Sequence, residues 1–132
     1  MEKTIFEKIA DKEIPAYIIR EDEEFMAFLD AFPSSYAQTL VIPKKQRDSY
    51  IFKQDSEFMN KYWDFVKETA LLLDSKLNTL RTVLIFEGFE VNHLHAKLYP
   101  FRSMEEAESF NPRTKGQLDK EVAKEIMSKL NS

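Results

Sequence analysis

Apolar residues fall along this chain in patches whose spacing switches between helical and extended periods. Thr4 and Glu7 stand at the separation of a capping box, and Ile5, Phe6, Ile9 and Ala10 make one apolar side, so a short helix is expected over residues 5–11. Pro15 forces an extended exit from it. Residues 16–20 and 25–29 are β-rich runs either side of the acidic stretch Glu21 to Glu24, which predicts a hairpin. After Pro33, Ser34 and Ser35, the run Thr39 to Ile42 reads as a third strand stopped by Pro43. Phe58, Tyr62, Phe65, Val66, Leu73 and Leu77 then recur at helical spacing, predicting a long helix from Asp55 or Ser56 to residue 77 whose stripe covers a sheet. Its outward side carries Tyr62 and Trp63 among charges. Two more strands are expected over 79–87 and 91–99, with Gly88 in the turn between them. The stretch from Arg102 to Gly116 reads as charged and irregular. Leu118, Val122, Ile126 and Leu130 then repeat every fourth residue, the stripe of a helix over 117–130 that packs on this domain or on a partner. Five strands and a crossing helix make an α+β sandwich, with one domain over 1–132, a core over 4–100 and a C-terminal extension.

Composition narrows the picture. The 132 residues are 43% hydrophobic and include 11 Phe, enough for a core and too apolar for a disordered chain. No apolar run reaches the roughly 18 residues of a membrane span, and the residues after Met1 lack the apolar stretch of a secretory signal, so a soluble, cytoplasmic protein is expected. There is no Cys, which removes disulfides, thiolate metal sites and thiol nucleophiles. With 19 Lys and Arg against 23 Asp and Glu, the net charge is −4, and a nucleic-acid partner is not expected.

Both histidines lie in one heptapeptide, His93 to Tyr99, closed by Pro100. On a strand, His93, His95 and Lys97 share one face, about 7 Å apart per step, and Leu94, Ala96 and Leu98 the other. A row of two imidazoles and an ammonium suits a phosphate, because a neutral imidazole can attack phosphorus and a neighbouring ammonium attracts the anion and lowers the imidazole pKa. From spacing alone the row equally fits the polar side of a solvent-facing strand. A metal site is disfavoured: His93 and His95 lack a third ligand, Glu90 has the wrong parity, and Lys97 ligates poorly.

Several separated segments carry a resemblance. His93 to Pro100 is similar to the signature of the histidine triad (HIT) superfamily, in which three histidines alternate with apolar residues on a strand. Thr4 to Ile9 with Lys12 to Ala16, Ala27 to Asp30, and Leu40 to Lys45 resemble, in order, the start and the second and third strands of its nucleotide-binding, Hint-like branch. The resemblance implies an α+β HIT-like fold: a five-stranded antiparallel sheet, a long helix packed on it, a short N-terminal helix and a C-terminal helix. It implies that His95 is the nucleophile forming a nucleotidyl-histidine intermediate and that His93 orients it. It implies that Asp30 binds ribose hydroxyls and that Ile5, Phe6, Ile9 and Phe28 sandwich the base. Read without the family, Asp30 is a turn cap and those four are core. A nucleotide or nucleoside phosphate substrate, a homodimer and no cofactor are further implications.

This chain also departs from the pattern. Lys97 stands at the third triad position, Gln38 replaces a histidine before the third strand and joins the implied nucleotide-binding set, and Gln46 replaces a histidine after the lysines. The segment Glu87 to Asn92 is shorter than the family's Gly-rich loop, and Glu90 stands at its hydroxyl position, where a carboxylate repels phosphate unless Lys97 or Arg81 offsets it. The expected activity is hydrolysis or nucleotidyl transfer at the α-phosphate, with His95, His93 and Lys97 as catalytic residues. The alternatives are a non-catalytic nucleotide-binding protein on the same scaffold and an interaction module using the Leu118 to Leu130 stripe.

Overall fold

The helix at the start of the chain, α1 (Ile5–Ala10), forms because Thr4 and Glu7 complete a reciprocal capping box, and it buries Phe6 and Ile9. The computed structural model describes residues 2–132. Strands β1 (Ile18–Glu21) and β2 (Phe25–Leu29) make the expected hairpin, two positions later at its start because the Asp22 carboxylate accepts from the Glu24 and Phe25 amides and fixes the turn at 22–24. Strand β3 (Thr39–Pro43) retains Pro43 as its last residue. A 3₁₀ turn (Ile51–Lys53) leads into α2 (Ser56–Leu77), capped by the Asp55 side chain and ended by Asn78 in the left-handed region. Strands β4 (Arg81–Ile85) and β5 (Ala96–Phe101) complete an antiparallel sheet of order β1-β2-β3-β5-β4.

Two layers cover the sheet. Every residue of the predicted α2 stripe is buried, together with Phe25, Ala27, Leu29, Val41, Leu94, Ala96 and Leu98 from the sheet side. Tyr62, expected on the outward side, is fully buried: its hydroxyl donates to the Val41 carbonyl at 2.7 Å and accepts from the Ala96 amide at 3.0 Å. Helix α4 (Lys120–Leu130) adds Ala123, Ile126 and Leu130 to this core, so the C-terminal stripe packs on its own chain, with Leu118 ahead of the helix. Against the opposite sheet face, Phe6 and Ile9 of α1 pack on Met26, Phe28, Leu40 and Ile42. The segment from Arg102 to Gly116 is not wholly irregular: Ser103 caps the short helix α3 (Met104–Ser109), and Phe110 then packs on Tyr99 and Phe101, at ring-centroid distances of 4.5 and 5.1 Å. No helix among the described residues is long and apolar enough to cross a membrane.

Candidate functional site

The last two strands are shorter than the periodicity predicts, and that difference builds the site. Residues 91–95 are not strand: the Leu94 amide donates to the Arg47 carbonyl at 2.9 Å and the His93 amide to Val91 at 2.8 Å, so the backbone here is committed to a loop. Residues 86–92 are also fastened to the 46–49 segment. Gln46 Nε2 donates to the Asn92 carbonyl at 2.6 Å, the Ser49 amide to Asn92 Oδ1 at 2.9 Å, and Ser49 Oγ to the Gly88 carbonyl at 2.8 Å. Gly88 has φ +69°, and an added Cβ would lie 2.7 Å from the Ser49 carbonyl oxygen, so the position demands glycine twice over.

The alternation across the heptapeptide holds, but its polar side does not face solvent. His93 is fully buried, and His95 and Lys97 are 8% and 9% exposed; α1 covers the two imidazoles through Phe6. Phe6 lies edge-on to His93 at 5.5 Å and tilted over His95 at 4.8 Å. His93 is behind the site: its Nε2–H donates to the Pro43 carbonyl at 2.8 Å, and the Thr4 hydroxyl donates to its Nδ1 at 2.6 Å. A carbonyl can only accept, which fixes the proton on Nε2 and leaves Nδ1 as the acceptor of a neutral ring. One hydroxyl thus caps α1 and orients His93. The carbonyl of His93 in turn accepts from His95 Nδ1–H at 2.7 Å, which leaves His95 Nε2 unprotonated and without a protein hydrogen bond among the described residues. Burial lowers both imidazole pKa values from 6.5; for His95 the Lys97 charge lowers it further, against the His93 carbonyl, which raises it.

His95 and Lys97 line a cavity of about 910 Å³. Ile5, Phe6, Ile9, Phe28 and Asp30 line it too, so five of the six expected binding residues converge there. Gln38 is the exception. It is buried behind Asp30, donating from Nε2 to Asp30 Oδ2 at 2.9 Å while its Oε1 accepts from the Ser34 amide at 2.6 Å. Asp30 Oδ1 accepts from the Phe32 amide at 2.8 Å, as the turn-cap reading expects; each carboxylate oxygen keeps a further lone pair.

The charges beside His95 are arranged otherwise than the sequence suggested. Lys97 Nζ pairs with Glu87, which holds the Glu87 carboxyl below its ordinary value, with Lys115 and Arg113 adding to the effect. Glu90 is offset by neither Lys97 nor Arg81; its partner is Lys115, at 3.8 Å. Lys115, Gln117, Leu118 and Lys120 line the cavity from the C-terminal segment, and nothing in their local sequence signals it. Glu87 is brought there by the register of the last two strands: Ile85 pairs with Lys97, which carries the chain from Ile85 toward His95. Among the described residues no three His, Cys, Asp or Glu gather to hold a metal ion.

Comparisons with known proteins agree with this fold. The HIT domain matches residues 11–104. An uncharacterized HIT-like protein of Methanocaldococcus jannaschii is 38% identical over 128 residues, covering 92% of this chain and 97% of that one. A hypothetical histidine triad nucleotide-binding protein of Sulfolobus tokodaii superposes with a TM-score of 0.78 at 27% identity, covering 96% of this chain and 88% of its own. A HIT family hydrolase of Legionella pneumophila gives 0.64 at 30% identity over 77% of this chain and 96% of its own.

Proposed function

This chain belongs to the HIT family, and from that premise we propose that it is a nucleotide-processing enzyme whose His95 attacks the α-phosphorus of a nucleoside phosphate compound. One observation carries the reading: the His93 carbonyl holds His95 Nδ1–H, so the ring presents an unprotonated Nε2 to a cavity with an apolar wall. The Nε2 lone pair forms a bond to phosphorus while the bond from phosphorus to the leaving group breaks, the electron pair leaving with that group. Water then attacks the nucleotidyl-histidine, loses a proton to solvent and releases a nucleoside monophosphate, and the lone pair returns to Nε2. Asp30 receives the ribose hydroxyls, Gln38 holds Asp30, and Ile5, Phe6, Ile9 and Phe28 enclose the base. Lys97 stabilises the developing negative charge, with Glu87 setting how much positive charge it offers. The names of the Sulfolobus and Legionella neighbours, a nucleotide-binding protein and a hydrolase, support the same reading.

Intact-mass measurement after mixing the protein with adenosine and guanosine phosphoanhydrides or phosphoramidates should show a covalent nucleotidyl adduct. His95→Gly should remove both adduct and monophosphate release, whereas His93→Ala should slow both and leave residual activity. Wild-type turnover in His95→Gly would refute the assignment. A second reading, a nucleotide-binding protein without turnover, draws on the Lys97–Glu87 pair, which removes net charge beside the reacting phosphate; it predicts binding with no adduct.

A further inference from the structure

Beside the main cavity lies a smaller one of about 150 Å³, lined by Glu87, Glu90, Pro112, Arg113 and Lys115. The two share Glu87, Glu90 and Lys115, so the smaller cavity continues the larger one on its charged side. The cations there come from a turn in the C-terminal segment that is pinned at both ends. Phe110 is wedged against Tyr99 and Phe101, Ser34 Oγ donates to the Pro112 carbonyl at 3.0 Å, the Gly116 amide donates to Pro33 at 3.3 Å, and the Leu118 amide to Ala31 at 2.8 Å. The anchors at 31–34 directly follow Asp30, so the turn bearing Arg113 and Lys115 is fixed relative to the cavity's polar wall.

The charges of this turn are only weakly paired, although both act on Glu87 from a distance. Arg113 makes no ion pair among the described residues, and the Lys115–Glu90 contact is long at 3.8 Å, with the Glu90 side chain 81% exposed. Lys97, by contrast, is 11% exposed at its side chain and fully engaged by Glu87. A cation that is held in place but weakly paired offers an incoming anion more of its charge than one already paired with a carboxylate. A neutral group entering the smaller cavity would leave Arg113 without a close ion pair, whereas a phosphate would pair with it.

We infer that Arg113 and Lys115 form an anion subsite beyond the reacting phosphorus, selecting nucleotides that carry at least one further phosphate over those with a neutral group there. The inference rests on the nucleotide reading above and names the class of leaving group, a phosphate or phosphoanhydride. In that reaction the bridging phosphorus–oxygen bond breaks with its electrons passing to the departing phosphate oxygen, whose negative charge Arg113 and Lys115 neutralise. Glu90 gives up its contact with Lys115 when the phosphate arrives.

Calorimetric titration with nucleoside monophosphates and diphosphates, in the adenosine and guanosine series, tests this without requiring turnover. Wild type should bind the diphosphate about tenfold more tightly than the monophosphate; R113A, at a residue that lines the smaller cavity and not the larger, should lower the ratio while leaving monophosphate affinity unchanged, and adding K115A should bring it close to one. High salt should compress the wild-type ratio, and K115R alone should preserve it. Equal affinity of wild type for the two nucleotides, or a ratio unaltered in the double variant, overturns the subsite. Loss of monophosphate affinity in R113A also overturns it, because the turn would then be supporting the whole pocket. A protein that prefers diphosphates but forms no His95 adduct leaves the subsite standing and removes only the transfer reaction. One that binds no nucleotide removes both.

Discussion

Lys97 and Glu87 act on His95 as a pair, and their separate charges can be read from the pH dependence of turnover. Burial is the main reason that the His95 imidazole titrates below 6.5, with Lys97 acting in the same direction. Lys97→Met removes that charge and leaves Glu87 uncompensated, so imidazolium becomes easier to form and the acidic limb of kcat/KM should move up. Glu87→Gln leaves the ammonium unpaired and should move the same limb down. Opposite displacements in the two variants would establish the pair as the local charge control; identical profiles would mean that neither charge reaches the imidazole. Thr4 offers a different test. Its hydroxyl accepts from the Glu7 amide at 3.0 Å while donating to His93, so Thr4→Val should cost about 1 kcal/mol of stability as a lost cap and, in addition, slow turnover by loosening His93. Thermal unfolding and kcat measured on the same variant separate the two effects.

The long helix is joined to the sheet at one polar point as well as along its apolar stripe. The Tyr62 hydroxyl bridges β3 and β5 one residue from His95, so Tyr62→Phe strands the Ala96 amide and the Val41 carbonyl in the core. About 2 kcal/mol of stability should be lost, read as a lower denaturant midpoint with an unchanged m-value. An element of this kind was legible in the sequence wherever its signal was periodic and local. The α2 stripe, the β2 run and the capping box of α1 all appear within a residue or so of their expected positions. The signals failed where tertiary partners decide. Leu94 alternates like a strand residue, yet its amide bonds to Arg47, and Tyr62 belongs to the stripe although its position beside Trp63 suggested the outer side. The candidate site divides in the same way. His95, Asp30 and Phe28 could be found from motif resemblance, whereas Thr4 meets His93 across 89 positions and Lys115 meets Glu90 across a fold that no local pattern specifies.

At the scale of the whole molecule, β4 is an edge strand of the sheet, and Trp63 on α2 and Leu80 beside β4 are 49% and 59% exposed. A homodimer is expected, and light scattering after size exclusion should report twice the 15.6 kDa of one chain at micromolar concentration. A single 15.6 kDa species would refute the dimer and leave the site's chemistry intact. The fold's acid stability follows from the same buried imidazoles that build the site. In the folded protein His93 and His95 titrate below 6.5, whereas in the unfolded chain they return to that value. Above 6.5 both states hold neutral imidazoles and stability is at its plateau. Between 6.5 and the lower folded values the unfolded chain binds more protons, so stability falls as the pH falls, by about 1.4 kcal/mol for each unit of depression at each ring. Glu87 and Glu106, whose carboxyls are held below 4.5 by Lys97 and Arg102, contribute a separate loss that begins only near that pH. Denaturant midpoints should therefore already decline between about pH 7 and about pH 6, above the range in which Glu87 and Glu106 contribute. His93→Gln can still donate to Pro43 and accept from Thr4 but cannot take up a proton, so it should be less stable at neutral pH and show a shallower decline. A wild-type midpoint constant across that range would mean that the buried rings are not kept neutral by the fold, and the protonation state assigned to His95 would fall with them.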